Sequence, residues 1–181
     1  MEKCTLVIIN GKSGSGKDLF CDFCAIVEPE TYRVVSIHRS DPYKEILTTM
    51  GWKGERTEEI RTLLKELCDF GEDWGYNRDY LLTQIFSLNS KIDNRHKILF
   101  YHCREARAIE KLKADKKLNK LTNSIETLFI DRKETVSEEP DCWYFSDDIQ
   151  GLYDVVIHND SDKNALMEQA KQYLAIAKRE E

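Results

Sequence analysis

Eight residues near the start of the chain, Gly11-Lys12-Ser13-Gly14-Ser15-Gly16-Lys17-Asp18, restrict its possible folds more than any other segment. They stand between the apolar run Leu6-Val7-Ile8-Ile9 and a stretch with apolar residues at helical spacing: Leu19, Phe20, Phe23, Ala25, Ile26 and Val27. A continuous apolar run of this length predicts a strand buried on both faces of a parallel sheet. A helix is predicted over 18–27, with Pro29 just beyond it as a stop. Glycines at 11, 14 and 16 let the backbone turn sharply and aim several N–H groups at one point, and the helix start adds its positive end. The run matches G-x-x-x-x-G-K, in which the lysine brings a mobile charge to the β- and γ-phosphates of a bound triphosphate. Gly11 through Asp18 therefore read as a phosphate cradle, and the expected cofactor is ATP with Mg²⁺.

The motif departs from the usual pattern at its last position. A Ser or Thr hydroxyl normally stands after the lysine and ligates Mg²⁺; here the residue is Asp18. A carboxylate repels a triphosphate unless a cation lies between them. Asp18 is thus expected to hold Mg²⁺ through a water or to accept the proton of an attacking hydroxyl. The plainer alternative is a helix N-terminal carboxylate interacting with the macrodipole.

Strands and helices alternate along the rest of the chain. Further strands are predicted at 33–38, 98–103, 125–130 and 154–158. Further helices are predicted at 41–50, 57–70, 77–88, 105–118 and 163–178, with Asp41 as the cap of the second helix and Gly71 closing the third. This alternation predicts an α/β architecture: one P-loop domain over 1–181, three layers, and a five-stranded parallel sheet. Residues 39–95 form a helical insertion over the carboxyl edge of the sheet, where ligands of such folds bind. The polar, acidic segment 132–150 suits a lid.

Composition narrows the function. The 181 residues are 41% hydrophobic and 33% charged with a net charge of −6. No basic stripe supports nucleic-acid binding. The run from Thr5 to Ile9 is too short for a membrane span or a signal-peptide core, so a cytoplasmic protein without membrane contact is expected. Cys21-x-x-Cys24 falls inside the first predicted helix with no second pair and no histidine set beside it, so its thiols are expected to be buried or free.

The P-loop is similar to the variant form, ending in S-G-K-D, of animal-type phosphomevalonate kinases, and it also resembles that of bacteriophage-type deoxynucleoside monophosphate kinases. Shorter similarities follow in order: Ser40-Asp41-Pro42-Tyr43-Lys44-Glu45, Arg61-Thr62-Leu63-Leu64, Arg104 after the third strand, and Tyr153 to Asp160 around the last strand. The resemblance implies the nucleoside monophosphate kinase fold and a phosphorylated small-molecule acceptor contacted by Lys44, Arg61 and Arg104. Phosphoryl transfer needs positive charge around the moving group, which makes Lys17, Arg104 and, at the lid, Arg132 the catalytic candidates beside Asp18. Asn159 is expected to line the adenine pocket. The assembly expected is a monomer or homodimer. One strand-end position departs again: where many P-loop enzymes carry an Asp that orders Mg²⁺, this chain has His102. The acceptor stays open between a (deoxy)nucleoside monophosphate and a phosphomevalonate-like molecule. A non-catalytic ATP-binding module is the reading from a different class.

Overall fold

Leu6, Val7, Ile8 and Ile9 are all fully buried, and they serve two different cores. Leu6 and Ile8 pack with Leu81, Ile85, Ile109 and Leu112 on one face of the sheet; Val7 and Ile9 pack with Phe20, Cys24, Leu166 and Leu174 on the other. Each such side chain contributes about 1.5–3 kcal/mol on burial. A strand covered on both sides has no polar face, which is why the run is uniformly apolar instead of alternating.

The computed structural model describes residues 3–92, 94–133 and 153–177. Its strands are β1 (Cys4–Asn10), β2 (Tyr32–His38), β3 (His96–His102), β4 (Thr122–Asp131) and β5 (Val155–His158). All pair in parallel, in the order β2-β3-β1-β4-β5. Helix α1 (Lys17–Val27) follows β1; α2 (Asp41–Thr49), α3 (Glu58–Asp73) and α4 (Tyr76–Asn89) lie between β2 and β3. Helices α5 (Ala106–Ala114) and α6 (Lys116–Leu121) precede β4, and α7 (Lys163–Ala177) follows β5. This is the expected five-stranded three-layer arrangement. The chain leaves β1 for β2 at the sheet edge and later crosses to β4 on β1's other side. The crevice beyond the carboxyl ends of β1 and β3 is therefore the switch point at which open α/β sheets bind ligands.

Several boundaries differ from the sequence expectation. The helix expected over 105–118 is two helices, broken at Asp115, whose carboxylate accepts from the N–H groups of Lys117 (2.7 Å) and Leu118 (3.0 Å) and caps α6. Asp41 is the first residue of α2 and not its cap; its carboxylate instead accepts from the N–H of His38 at 2.6 Å. Strand β4 starts three residues before the expected 125. The lid expected over 132–150 lies outside the described residues apart from Arg132 and Lys133.

Gly71 does not close α3; it lies buried within the helix. The Tyr43 hydroxyl of α2 donates to the Asn77 side-chain oxygen (2.6 Å), and the Asn77 amide donates to the Cys68 carbonyl (2.7 Å). Any Cβ at position 71 would overlap that hydroxyl and come within 2.8 Å of the Asn77 oxygen. The three insertion helices thus meet at one point that only glycine leaves open. Gly71→Ala is expected to destabilise by about 2 kcal/mol net, the overpacking outweighing alanine's better helix propensity. Thermal denaturation would show a Tm lower by roughly 4–8 °C; an unchanged Tm would mean that the helices do not meet here.

Candidate active site at the carboxyl edge of the sheet

The site begins at the last residue of β1. Asn10 is buried, and its side chain accepts from the N–H of Gly11 (2.7 Å) while its amide donates to the Tyr153 hydroxyl (2.6 Å) and the Arg104 carbonyl (3.2 Å). One side chain therefore ties the loop's start to the end of β3 and to the approach to β5. Neither Asn10 nor Tyr153 was singled out from sequence as a site residue, because the three segments meet only across the sheet.

The loop then turns through Gly11 (φ 148°), Gly14 (φ 77°) and Gly16 (φ 95°) into α1. Lys12 is half-buried, and Ser13 and Gly14 are exposed at the loop's crest. The Lys17 ammonium folds back onto the loop and donates to the carbonyls of Gly11 and Lys12, both at 2.7 Å. The Ser15 hydroxyl is buried and has no hydrogen-bond partner among the described residues. The N-cap residue of α1 is Gly16, which has no side chain to offer the first N–H groups. A glycine loop that runs into a helix start and carries a lysine fits an oxyanion.

Asn159 supports this loop from behind. Its amide donates to the Ser15 carbonyl at 2.8 Å, and its backbone N–H donates to the Asp131 carbonyl at 2.7 Å. A Cβ at Gly16 would stand 2.5 Å from the Asn159 nitrogen, so the third glycine is required by close approach as well as by its φ. Arg132 is half-buried just past β4, and the next residue, Lys133, is held by Asp160, whose carboxylate accepts from its N–H (2.9 Å) and pairs with its ammonium (3.1 Å).

The acceptor-side candidates separate. Arg104 follows β3 directly beside the loop, joined to it through Asn10, and its charge acts on His102 together with those of Lys17 and Lys44. Lys44 pairs with Asp41 at 2.9 Å. Arg61 is drawn elsewhere: it pairs with Glu58 across one turn of α3 at 3.7 Å, with both side chains exposed. Arg39 is buried and joins Asp69 (3.1 Å) to Glu105 (2.9 Å), which makes it a brace between the insertion and the loop after β3.

Around Asp18 the structure holds an arrangement that sequence reading missed. His38 and His102 end adjacent strands and are register partners; their rings stack with centroids 3.9 Å apart. Asp18 Oδ1 lies 3.5 Å from His38 Nε2 and 3.7 Å from His102 Nδ1. His102 Nε2 lies 2.9 Å from Ser36 Oγ and 3.8 Å from Cys21 Sγ. A histidine does stand beside the Cys21-x-x-Cys24 pair after all. The signal was two strands that each end in histidine, usable only once their register is known. These donors do not suit Mg²⁺ as a protein-held ion, since they offer one carboxylate and two imidazoles where Mg²⁺ takes oxygen.

No protein-family model matches the chain, and no curated protein matches it. Among solved structures, the Mycobacterium tuberculosis APS kinase CysC in complex with AMPPNP and APS is 11% identical over 98% of this chain and 99% of that one, with a TM-score of 0.51. A thymidylate kinase from Candida albicans is 13% identical over 99% of this chain and 94% of that one, with a TM-score of 0.47. The chain has a P-loop kinase fold. At these identities the likeness is one of fold alone. Among the described residues no helix is long and apolar enough to cross a membrane.

Within this P-loop kinase fold His102 is held neutral. Burial, then the neighbouring His38 and Lys17, push its pKa from 6.5 down to about 2. As pH falls below 6.5 the unfolded chain takes up a proton that the folded chain refuses. The associated stability is complete above pH 6.5 and is lost progressively toward pH 2. Between pH 6.5 and 4.5 the loss amounts to roughly 2–3 kcal/mol. Urea denaturation in buffer containing EDTA should show this slope in the parent chain and a shallower one in His102→Gln. Parallel slopes would show that the ring titrates normally.

Proposed function

We propose that this protein is an ATP-dependent kinase that transfers the γ-phosphoryl group to a phosphorylated small molecule, with a (deoxy)nucleoside monophosphate as first choice. The observation that carries the proposal is the Gly11–Lys17 loop, whose lysine folds over it and which runs into the start of α1 at the switch point of the sheet. Phosphoryl transfer asks the protein mainly for positioning and positive charge. Gly11 to Asp18 would hold the triphosphate, Lys17 would follow the charge on the β- and γ-oxygens, and Arg104 would meet the transferred group from the end of β3. Lys44, beside Asp41, would face the acceptor's phosphate. Arg61 is the weakest of the proposed acceptor contacts, given its pairing with Glu58. Asn159 acts as a support for the loop, and Arg132 would add charge from the end of β4. ATP brings Mg²⁺ bound to its own phosphate oxygens.

The APS kinase of like fold is in complex with AMPPNP and APS, which supports a site that takes two ligands at once. A phosphomevalonate-like acceptor keeps the same chemistry. A non-catalytic ATP-binding module is the second reading, favoured by the neutral His102 in the strand-end position. The test is a panel of nucleoside, deoxynucleoside and other small-molecule monophosphates incubated with Mg²⁺ and ATP and read for ADP release. One monophosphate is expected to raise ADP release well above the rate with ATP alone. ATP binding with no acceptor-dependent release across the panel would reject the kinase reading in favour of the binding module.

A further inference from the structure

We propose that Asp18, His38 and His102 form a binding site for a nitrogen-preferring divalent transition ion, of which Zn²⁺ is the best fit. Three elements supply one donor each: the first turn of α1, the last residue of β2 and the last residue of β3. Their ligand atoms all lie within 4.8 Å of one another. Two ligands about 2.0–2.1 Å from one tetrahedral zinc are separated by roughly 3.3–3.4 Å. The observed separations from Asp18 Oδ1, 3.5 and 3.7 Å, need only a small contraction.

A second observation points to a ligand independently of this spacing. His102 Nδ1 is buried and has no hydrogen-bond partner among the described residues, and the side chain as a whole is 6% exposed. An unpaired buried ring nitrogen costs free energy that a metal would recover. The opposite ring nitrogen, Nε2, lies 2.9 Å from Ser36 Oγ. That contact lets Nε2–H donate to the hydroxyl, which leaves the Nδ1 lone pair turned toward Asp18. Metal-bound histidines are oriented by the same kind of outer hydrogen bond. The imidazole planes are inclined by 20°, so one must tilt to converge both lone pairs; His38, the half-exposed member, has the room.

Three protein ligands leave a tetrahedral ion one open position, the pattern of zinc sites that do chemistry and not of closed structural ones. Asp18 follows Lys17 directly, so the site adjoins the glycine loop, and the remaining position is for water or a phosphate oxygen. That role rests on the proposed function, but the binding of the ion does not. Glycine-loop kinases with a hydroxyl after the lysine ask for an oxygen-bound ion, whereas these donors select for nitrogen affinity.

The test uses the full chain, treated with chelator and then freed of it, with no nucleotide present. Zn²⁺ is titrated against a chromophoric competitor, and Co²⁺ serves as a spectroscopic probe. One Co²⁺ per chain with strong visible bands of a tetrahedral nitrogen–oxygen site, not displaced by millimolar Mg²⁺, is the expected result. His102→Gln and His38→Gln should each weaken Zn²⁺ binding about 100-fold or more, and Ser36→Ala about 10-fold. His38→Gln alters a half-exposed side chain, so it reports on the site even where His102→Gln fails to fold. Unchanged Zn²⁺ affinity in His38→Gln would overturn the proposal. So would a thiolate-to-cobalt charge-transfer band, which would put the ion on cysteines such as Cys21. The ADP-release assay, run separately, keeps the two ideas apart: turnover without Zn²⁺ binding removes only the metal site, and Zn²⁺ binding without turnover removes only the kinase.

Discussion

Replacing Lys17 with alanine is expected to lower acceptor-dependent ADP release by roughly 10³-fold, the loss found when a preorganised charge at a transition state is removed. At 1.36 kcal/mol per tenfold this is about 4 kcal/mol of barrier. The ammonium now rests on the carbonyls of Gly11 and Lys12 at 2.7 Å each, inside the loop that would wrap the phosphates. An arriving polyphosphate would take those N–H donors away from the carbonyls and gain the charge. Removing the side chain takes the ammonium from both carbonyls; the Lys12 carbonyl keeps the Ser15 N–H at 3.1 Å, so a stability loss of about 1 kcal/mol accompanies the change. Lys17→Met keeps the apolar stem and separates the two effects: its Tm should stay nearer the parent value while turnover still fails. Full activity in either variant would take the loop out of the catalytic centre.

Gly11→Ala is expected to cost roughly 3 kcal/mol or more, from overpacking together with backbone strain. Gly11 sits at φ 148°, a backbone conformation that L side chains rarely adopt, and a Cβ there would overlap the Ile130 carbonyl of β4 and lie 2.8 Å from Ser15 Oγ. The carbonyl belongs to a central strand and cannot move aside. The loop or the strand must shift instead, and either shift displaces the amides of the cradle. Thermal denaturation should show a Tm lower by roughly 6–12 °C, and nucleotide affinity should fall with it. A variant with parent Tm and parent ATP binding would mean that β4 does not press on the loop.

The layers and the glycine loop are legible in the sequence for a local reason. A strand buried on both faces must be apolar throughout, and Leu6 to Ile9 are. A loop that turns on positive φ at three places needs glycine there, and 11, 14 and 16 are glycine. Element ends were less legible, because they depend on what lies alongside. Asp115 breaks a continuous helical pattern only because its carboxylate reaches the N–H groups of the next turn. Gly71 looked like a helix end, yet it marks the close approach of Tyr43 from α2.

By itself the sequence determined the three-layer α/β fold and the place of the glycine loop within it, since both follow from short stretches whose meaning is contained in their own residues. Only the tertiary structure decided which distant side chains share the loop's surroundings. Asn10 meets Tyr153 and Arg104, Asn159 meets Ser15, and Asp18 meets two histidines, each through strand register and sheet order. Register is set by the packing of whole faces against their helices, a collective property that no single segment encodes.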